Sequence, residues 1–600
     1  MFQSFKNSSE RNHTPRRIEF LRALIKNYKL DGVIIPKADR YQGEYIPPED
    51  ERLTWISGFT GSAGTALVFA ESAVLFVDGR YSLQAKIEVN GRIFRVEDST
   101  KTSIVNWLKI NFKYQPKIAF DPWLTTVSQV KTFLTEAEGK IKFLPRMNLV
   151  DKLWERNSGA SSEKIFHLSN EISGESVSSK LNKILTILKV NDIKNYIFCK
   201  PDAICWLLNI RGKDVAHNPV VNCFSILRDS GEIIIFSENL DKFTKLRNKP
   251  FYRKIHFKKF SELRNFIINS KGSTGFDQNY LPWKIYQYLE SSNKKIIQMS
   301  DPANTLKSVK NSIEINGMIS AHLRDAVAFI KFMYWFFKLD KTSELDEISL
   351  IKKLESCRRD TGFLREISFD TICGSGPNGA IIHYRATNES NRKINKDDII
   401  LIDSGGQYLD GTTDITRSIC RGACDTKTKR LYTLVLKGLI ALSSQKWPRG
   451  LTGRDLDPLA RQFLWNSLND YEHGTGHGVG AYLCVHEGPV GINRKSNIEL
   501  EPGMILSIEP GFYQKHKLGI RLENLVLVKK VTNHPNESFL CFETLTSVPF
   551  QRNMLDISML DKKEKIWLNS YHKSILDKIG PKLSSNELKW LTRQCVPITI

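Results

Sequence analysis

A chain of 600 residues is too long for one hydrophobic core and calls for roughly three or four domains. Hydrophobic residues at 41% and charged residues at 25% sit in the ordinary soluble range; 10 cysteines without regular spacing or any C-x-x-C pair exclude a disulfide framework and point to a reducing compartment. A formal charge of +22 invites a nucleic-acid reading, but the Lys and Arg are scattered among Asn and Ser, with no dense helical stripe, zinc finger or RNA-binding aromatic motif, so we read solvated surface and expect no nucleic-acid partner.

The first residues lack the apolar core of a secretory signal. Thr14-Pro15 reads as the N-cap and first position of an amphipathic helix. "GTALVFAESAVLFVDGRYSLQAKI" predicts strand, turn, strand and helix, and "NCFSILRDSGEIIIFSENL" repeats that logic around Asp229-Ser230-Gly231. Polar seams at Glu155–Lys164 and Met299–Asn311 bound these two stretches. We therefore expect two small α/β domains of related layout, over 1–157 and 158–305. Helices come first after residue 306, including the run Ala326–Phe337. That run is interrupted by Lys331 and too short to span a bilayer, so it predicts a buried helix and no membrane partner. Strands with turns follow, predicting an α+β domain with a largely antiparallel sheet over 306–553. The residues 554–600 read as two helices docked on it.

Chemistry gathers in this third region. Asp403 ends the apolar run "IILI", and Asp414 follows eleven residues later, placed by the pattern in a return strand. Glu509 in "ILSIEPGF" and Glu523 in "GIRLENLVLV" are similarly set against apolar runs, where a carboxylate is costly unless paired or bound to a cation. Singly, Glu509 could cap a strand end, and Glu523 could pair with Arg521, two residues away on one strand. "YEHGTGHGVGAYLCVHEGP" adds His473, His477 and His486 among five glycines, which rule out a stable helix and allow close approach of backbone. Four carboxylates and at least one histidine at strand ends and glycine-rich turns make an oxygen-dominated site for two divalent cations, suited to Mn²⁺, Mg²⁺ or Co²⁺. Two such ions activate a shared water and polarise a carbonyl, which is the chemistry of hydrolysis.

At these residues the sequence resembles the pita-bread metallopeptidases, and among them the Xaa-Pro aminopeptidases. The segments D-S-G-G-Q-Y-x-D-G-T-T-D, H-G-T-G-H-G-V-G, V-H-E-G-P, S-I-E-P-G and G-I-R-x-E-N occur in the family's order. The resemblance implies Asp403, Asp414, His477, Glu509 and Glu523 as metal ligands, with Asp414 and Glu523 bridging two ions, Mn²⁺ first among them. It implies that His383, in "GPNGAIIHYRAT", contacts substrate and steadies the oxyanion. His473 and His486 would line the proline pocket and assist proton transfer, and Glu509 would pass a proton to the leaving nitrogen. His477 and His486 would face substrate beside Arg521, Tyr513 and Trp465. Arg80 of "DGRY" matches a substrate-associated position of the long forms, the alternative being a salt bridge at a domain interface. The resemblance thus implies an α+β fold, a pita-bread domain behind two smaller α/β domains, in a cytoplasmic homodimer. Its reaction would remove the first residue from peptides with proline second, through a metal-bridging hydroxide. The alternatives are a prolidase-type dipeptidase and a non-catalytic pita-bread protein that binds nucleic acid or histones.

Overall fold

The computed structural model describes residues 1–156, 165–249, 251–340, 344–532 and 538–600. Residues 157–164 of the predicted seam at Glu155–Lys164 lie outside the described residues. The chain forms two compact units, one of Asn7–Ser169 with Glu175–Asn304, the other of Met1–Lys6, Asn170–Gly174 and Thr305–Ile600.

The first unit carries two six-stranded sheets of the same design. In one, Gly32–Pro36, Thr65–Phe69 and Ala73–Val77 run antiparallel to their sequence neighbours, and Phe94–Asp98, Lys117–Phe120 and Lys142–Pro145 add on in parallel. In the other, Asn195–Phe198, Phe224–Arg228 and Ile233–Ser237 are the antiparallel trio, with Ile255–Lys259, Thr274–Phe276 and Ile296–Gln298 parallel. The central strands are apolar at almost every position and buried on both faces, as strands are when helices cover a sheet on both sides. The first long helix, Thr14–Asn27, starts one residue earlier than a cap at Thr14 would give. A 3₁₀ turn over Arg11–His13 feeds straight into it, so Thr14 is already helical and His13 takes the cap position without a side-chain bond.

In the second unit, the helix Ser312–Lys338 begins at a reciprocal cap. Asn311 accepts from the N–H groups of Ile313 and Glu314, and the Glu314 carboxylate accepts from the Asn311 N–H. Its apolar run sends Phe329, Phe332, Met333 and Phe336 into the core. The strand Ile399–Ser404 lies between Ile372–Ser375 and Ile415–Cys420, antiparallel to both. A six-stranded antiparallel sheet stands in the same core, with Lys446–Pro448, Phe539–Thr544, Asn524–Lys530, Ile505–Ile508, Gly476–Gly478 and Glu487–Ile492 as successive neighbours. The helices Lys562–Ile579 and Ser585–Gln594 pack on this unit, the Trp590 indole stacking on Phe337 at 6.0 Å. Met1–Lys6 joins it because the Phe2 N–H donates to Glu355 and Gln3 exchanges two hydrogen bonds with the Thr371 backbone. Among the described residues no helix is long and apolar enough to cross a membrane.

Candidate metal centre

Four of the five candidate ligands sit at or beside a strand end or in a break between strands. Asp403 is the penultimate residue of Ile399–Ser404, in register with Thr416. Asp414 lies just before the return strand Ile415–Cys420 and not within it, because a small hairpin (Gly406–Tyr408 with Gly411–Thr412) is inserted between the two. Glu509 follows Ile505–Ile508 directly. Glu523 occupies the break between Leu518–Arg521 and Asn524–Lys530, so it and Arg521 do not share one strand. His477 is the middle residue of the short strand Gly476–Gly478. Its flanking glycines have a steric reason. A Cβ on Gly476 would lie 1.9 Å from the Ser507 carbonyl oxygen, and one on Gly478 would lie 2.3 Å from that of Glu487. The close approach is between neighbouring strands, and it delivers the imidazole to the carboxylates.

One donor atom each from Asp414, His477 and Glu523 lie within 4.8 Å of one another. His477 Nε2 is 3.5 Å from Asp414 Oδ2 and 3.5 Å from Glu509 Oε1. Burial pushes Asp414 and Glu523 well above the usual carboxylate range, and the neighbouring carboxylates push them further. Burial also raises Glu509, against the pull of His477 and Arg521. Asp403 Oδ1, Asp414 Oδ1 and Glu523 Oε1 are buried with no hydrogen-bond donor among the described residues. Leaving such oxygens without a counter-charge costs several kcal/mol each in a dry interior, on the order of the ion-burial penalty. Convergent carboxylate oxygens with one imidazole nitrogen are the donor set of hard divalent cations, so the residues present fit a metal.

The surroundings hold these groups in place. His477 Nδ1 is 2.9 Å from the Gly478 carbonyl, which can only accept, so Nδ1 carries the proton and the Nε2 lone pair faces the cluster. The His477 N–H donates to Ser507 Oγ at 3.0 Å, and that hydroxyl donates to Glu509 at 3.2 Å. Thr416 Oγ1 donates to Glu523 Oε2 at 3.0 Å. Arg521 Nη2 pairs with Asp403 Oδ2 at 2.6 Å, so the buried partner of this arginine is Asp403 and not Glu523. Arg521 Nη1 donates to the Tyr513 hydroxyl at 2.6 Å, and Tyr513 donates to His473 Nε2 at 2.9 Å. His473 Nδ1 is satisfied by the Gly474 carbonyl at 2.8 Å, so both ring nitrogens are engaged by protein in this geometry.

His486 sets its ring 4.3 Å from that of His477, edge to face. His383 follows Ile382, whose carbonyl accepts from Arg521 at 3.3 Å. Trp465 ends the helix Gly453–Trp465, 39% exposed, with its indole against Asp470. Arg80 belongs to the other unit, where it holds Asp78 through two bonds of 2.9 and 2.8 Å. Sequence reading missed Thr416, Ser507 and Arg417. Arg417 is fully buried and donates to the Glu523 carbonyl at 2.5 Å and to the Tyr571 hydroxyl at 3.0 Å. The polar alternation "TRS" inside an apolar strand was the available signal for two of them.

Comparison with known proteins agrees along the whole chain. Residues 316–530 match metallopeptidase family M24, and 538–598 match the carboxy-terminal region of that peptidase. Residues 17–153 and 156–314 each match a creatinase/prolidase N-terminal domain. A protein of Laccaria bicolor named "Probable Xaa-Pro aminopeptidase P" is 34% identical over 98% of this chain and 94% of its own. One of the same name from Aspergillus fumigatus is 35% identical over 98% of this chain and 93% of its own. Among solved structures, an X-prolyl aminopeptidase from Caenorhabditis elegans, described as a cytosolic enzyme with a di-nuclear active site, superposes with a TM-score of 0.93 at 32% identity, covering 98% of this chain and 100% of its own.

Proposed function

The chain belongs to metallopeptidase family M24, and we propose that it is an Xaa-Pro aminopeptidase, which releases the first residue of peptides whose second residue is proline. The observation that carries this reading is the cluster of Asp414, His477 and Glu523, with buried carboxylate oxygens that no donor among the described residues satisfies. Asp403, Asp414, His477, Glu509 and Glu523 would hold two divalent cations, Mn²⁺ in our reading. Two bound ions lower the pKa of a shared water and polarise the scissile carbonyl.

The chain's own residues do the rest. Arg521 holds Asp403 in one orientation, and Tyr513 and His473 hold Arg521 from behind. Glu509, partly buried beside His477, is placed to take a proton from the water and deliver it to the proline nitrogen. His486, edge-on to His477, and His383 on the Arg521-tied loop would steady the substrate carbonyl. Proline offers no N–H for alignment, so a pocket shaped for its ring would take over that role, with Trp465 as a further substrate contact. A cytoplasmic homodimer, and the division into domains at 157, 305 and 553, belong to the same proposal.

The test uses metal-stripped full-length protein re-supplied with Mn²⁺, Co²⁺ or Zn²⁺ and offered Arg-Pro-Pro, Ala-Pro-Ala and Ala-Pro. Manganese-stimulated release of the first residue from the tripeptides is expected, with Asp414→Asn or Glu523→Gln lowering the rate by at least about a hundredfold. Cleavage of Ala-Pro alone would move the assignment to a dipeptidase. An unchanged rate in either variant would refute the mechanism.

A further inference from the structure

Beside His486 lies a group of buried charges that the reaction above does not use. The Glu487 carboxylate, 1% exposed, meets two lysines: Lys310 Nζ at Oε1, and Lys307 Nζ 3.3 Å from Oε2. Both lysine side chains are sealed from solvent, at 0% and 1%. Lys307 Nζ also donates to the Gly488 carbonyl at 3.2 Å, and Lys310 Nζ to the Ser308 carbonyl at 3.3 Å. Two ammonium groups thus face one carboxylate. Apolar side chains of the same volume would hold this place at no loss of stability, because ion burial costs as much as the pairing returns. Directed bonds are what the charges add, and they fix two successive residues, the side chain of Glu487 and the carbonyl of Gly488.

Glu487 is a sensitive place to fix. It pairs across the strands with Gly478, at the irregularity that separates Gly478 from His477. Its backbone and carboxylate crowd the glycine segment on both sides: a Cβ on Gly478 would meet the Glu487 carbonyl at 2.3 Å, and one on Gly480 would meet Oε2 at 3.0 Å. His486 is the preceding residue, with its ring against His477. One anchored residue therefore sets the histidine immediately before its strand, whose ring lies against His477.

We propose that Lys307 and Lys310 are positioning residues, which clamp Glu487 and Gly488 so that the His486 ring is held against His477 and aimed at the reacting carbonyl. The inference rests on the peptidase reading for His486. Its test uses Lys307→Met and Lys310→Met in the full chain. Each leaves Glu487 a single lysine, a neutral pair, so folding is expected to survive. Metal content should match the parent, while kcat on Ala-Pro-Ala falls at least tenfold and KM moves less than threefold. In a His486→Ala background, Lys310→Met should change kcat by less than twofold, because its effect passes through that ring. Independently of activity, the His486 ring signal in histidine-labelled protein, assigned by its loss in His486→Ala, should shift in both lysine variants.

A kcat within twofold of the parent, an equal effect with and without His486, or an unmoved ring signal would each overturn the proposal. Failure of both variants to fold would do so too, by making the cluster a structural one. Should the parent cleave no Xaa-Pro peptide, the peptidase reading falls by itself and the ring signal alone decides the clamp.

Discussion

Asp39 and Asp414 are both buried carboxylates lifted above the usual range, and their surroundings answer that burial differently. Asp414 stands among other carboxylates and keeps an oxygen that no donor among the described residues reaches. Asp39 instead accepts the N–H groups of Tyr41 and Gly43 on the same oxygen, at 2.9 and 3.0 Å, while burial raises its pKa to about 7. The folded protein therefore holds the Asp39 proton up to about pH 7, whereas the unfolded chain releases it near 3.8. Between those values the folded state binds more protons, so stability falls as pH rises, by about 4 kcal/mol in all. Asp39→Asn is neutral at every pH and keeps the acceptor that both N–H groups use. The variant is expected to melt several degrees above the parent at pH 8, with the gap closing toward pH 4.5, read from the transition it displaces. An equal gap at both pH values, or a variant that melts lower at pH 8, would contradict the burial argument. Asp39 carried no signal in the sequence: nothing in "PKADRYQGEY" says that its side chain points inward.

Strands were legible because their apolar runs are short, dense and bounded by turns, as in "IILI" and "NLVLV". Their ends were not. The inserted hairpin before Ile415 moves Asp414 off its strand, and the break after Arg521 moves Glu523 off another, yet neither changes the apolar pattern. The ligands were found all the same, since an acid against an apolar run is conspicuous wherever the strand stops. Arg417 shows the opposite case. On a two-layer strand it would read as solvent-facing, but the carboxy-terminal helix Lys562–Ile579 covers that side, and Tyr571 receives the guanidinium. The tail helices thus reach the metal centre through Tyr571, Arg417 and the Glu523 carbonyl. Tyr571→Phe removes that acceptor and the donor to the Val548 carbonyl at 2.8 Å, for an expected loss of about 1–2 kcal/mol. A melting point lowered by a few degrees, together with weaker metal retention against a chelator, is the expected result. If melting and metal retention both stay at parent values, the tail does not brace the site.

At the scale of the whole chain, the two-sheet unit and the carboxy-terminal unit differ in what they ask of a cation. The α/β layout of the first was readable from its repeated strand–turn–strand pattern. The joining of Met1–Lys6 to the second was not, because it rests on two hydrogen-bonded residues with no local pattern. All five candidate ligands belong to the second unit, and with them the three buried carboxylate oxygens that lack a donor among the described residues. Without metal, that unit bears the cost of those oxygens and of carboxylates pressed together. With metal at a hundred times its dissociation constant, binding to the folded state alone adds about 2.7 kcal/mol per site. For a unit of about 300 residues, each kcal/mol is worth roughly 1.5 °C. Calorimetry of chelated protein should therefore show the transition of the carboxy-terminal unit lowered by on the order of 5 °C or more, and restored by Mn²⁺. The transition of the two-sheet unit should move much less. Asp414→Asn should shrink the metal-dependent shift while raising the melting point of the chelated form, since it removes a buried carboxylate that Asp403 and Glu509 crowd. Equal displacement of both transitions, or a chelated Asp414→Asn protein less stable than the chelated parent, would mean that the cluster is held by something other than the cations it is built to receive.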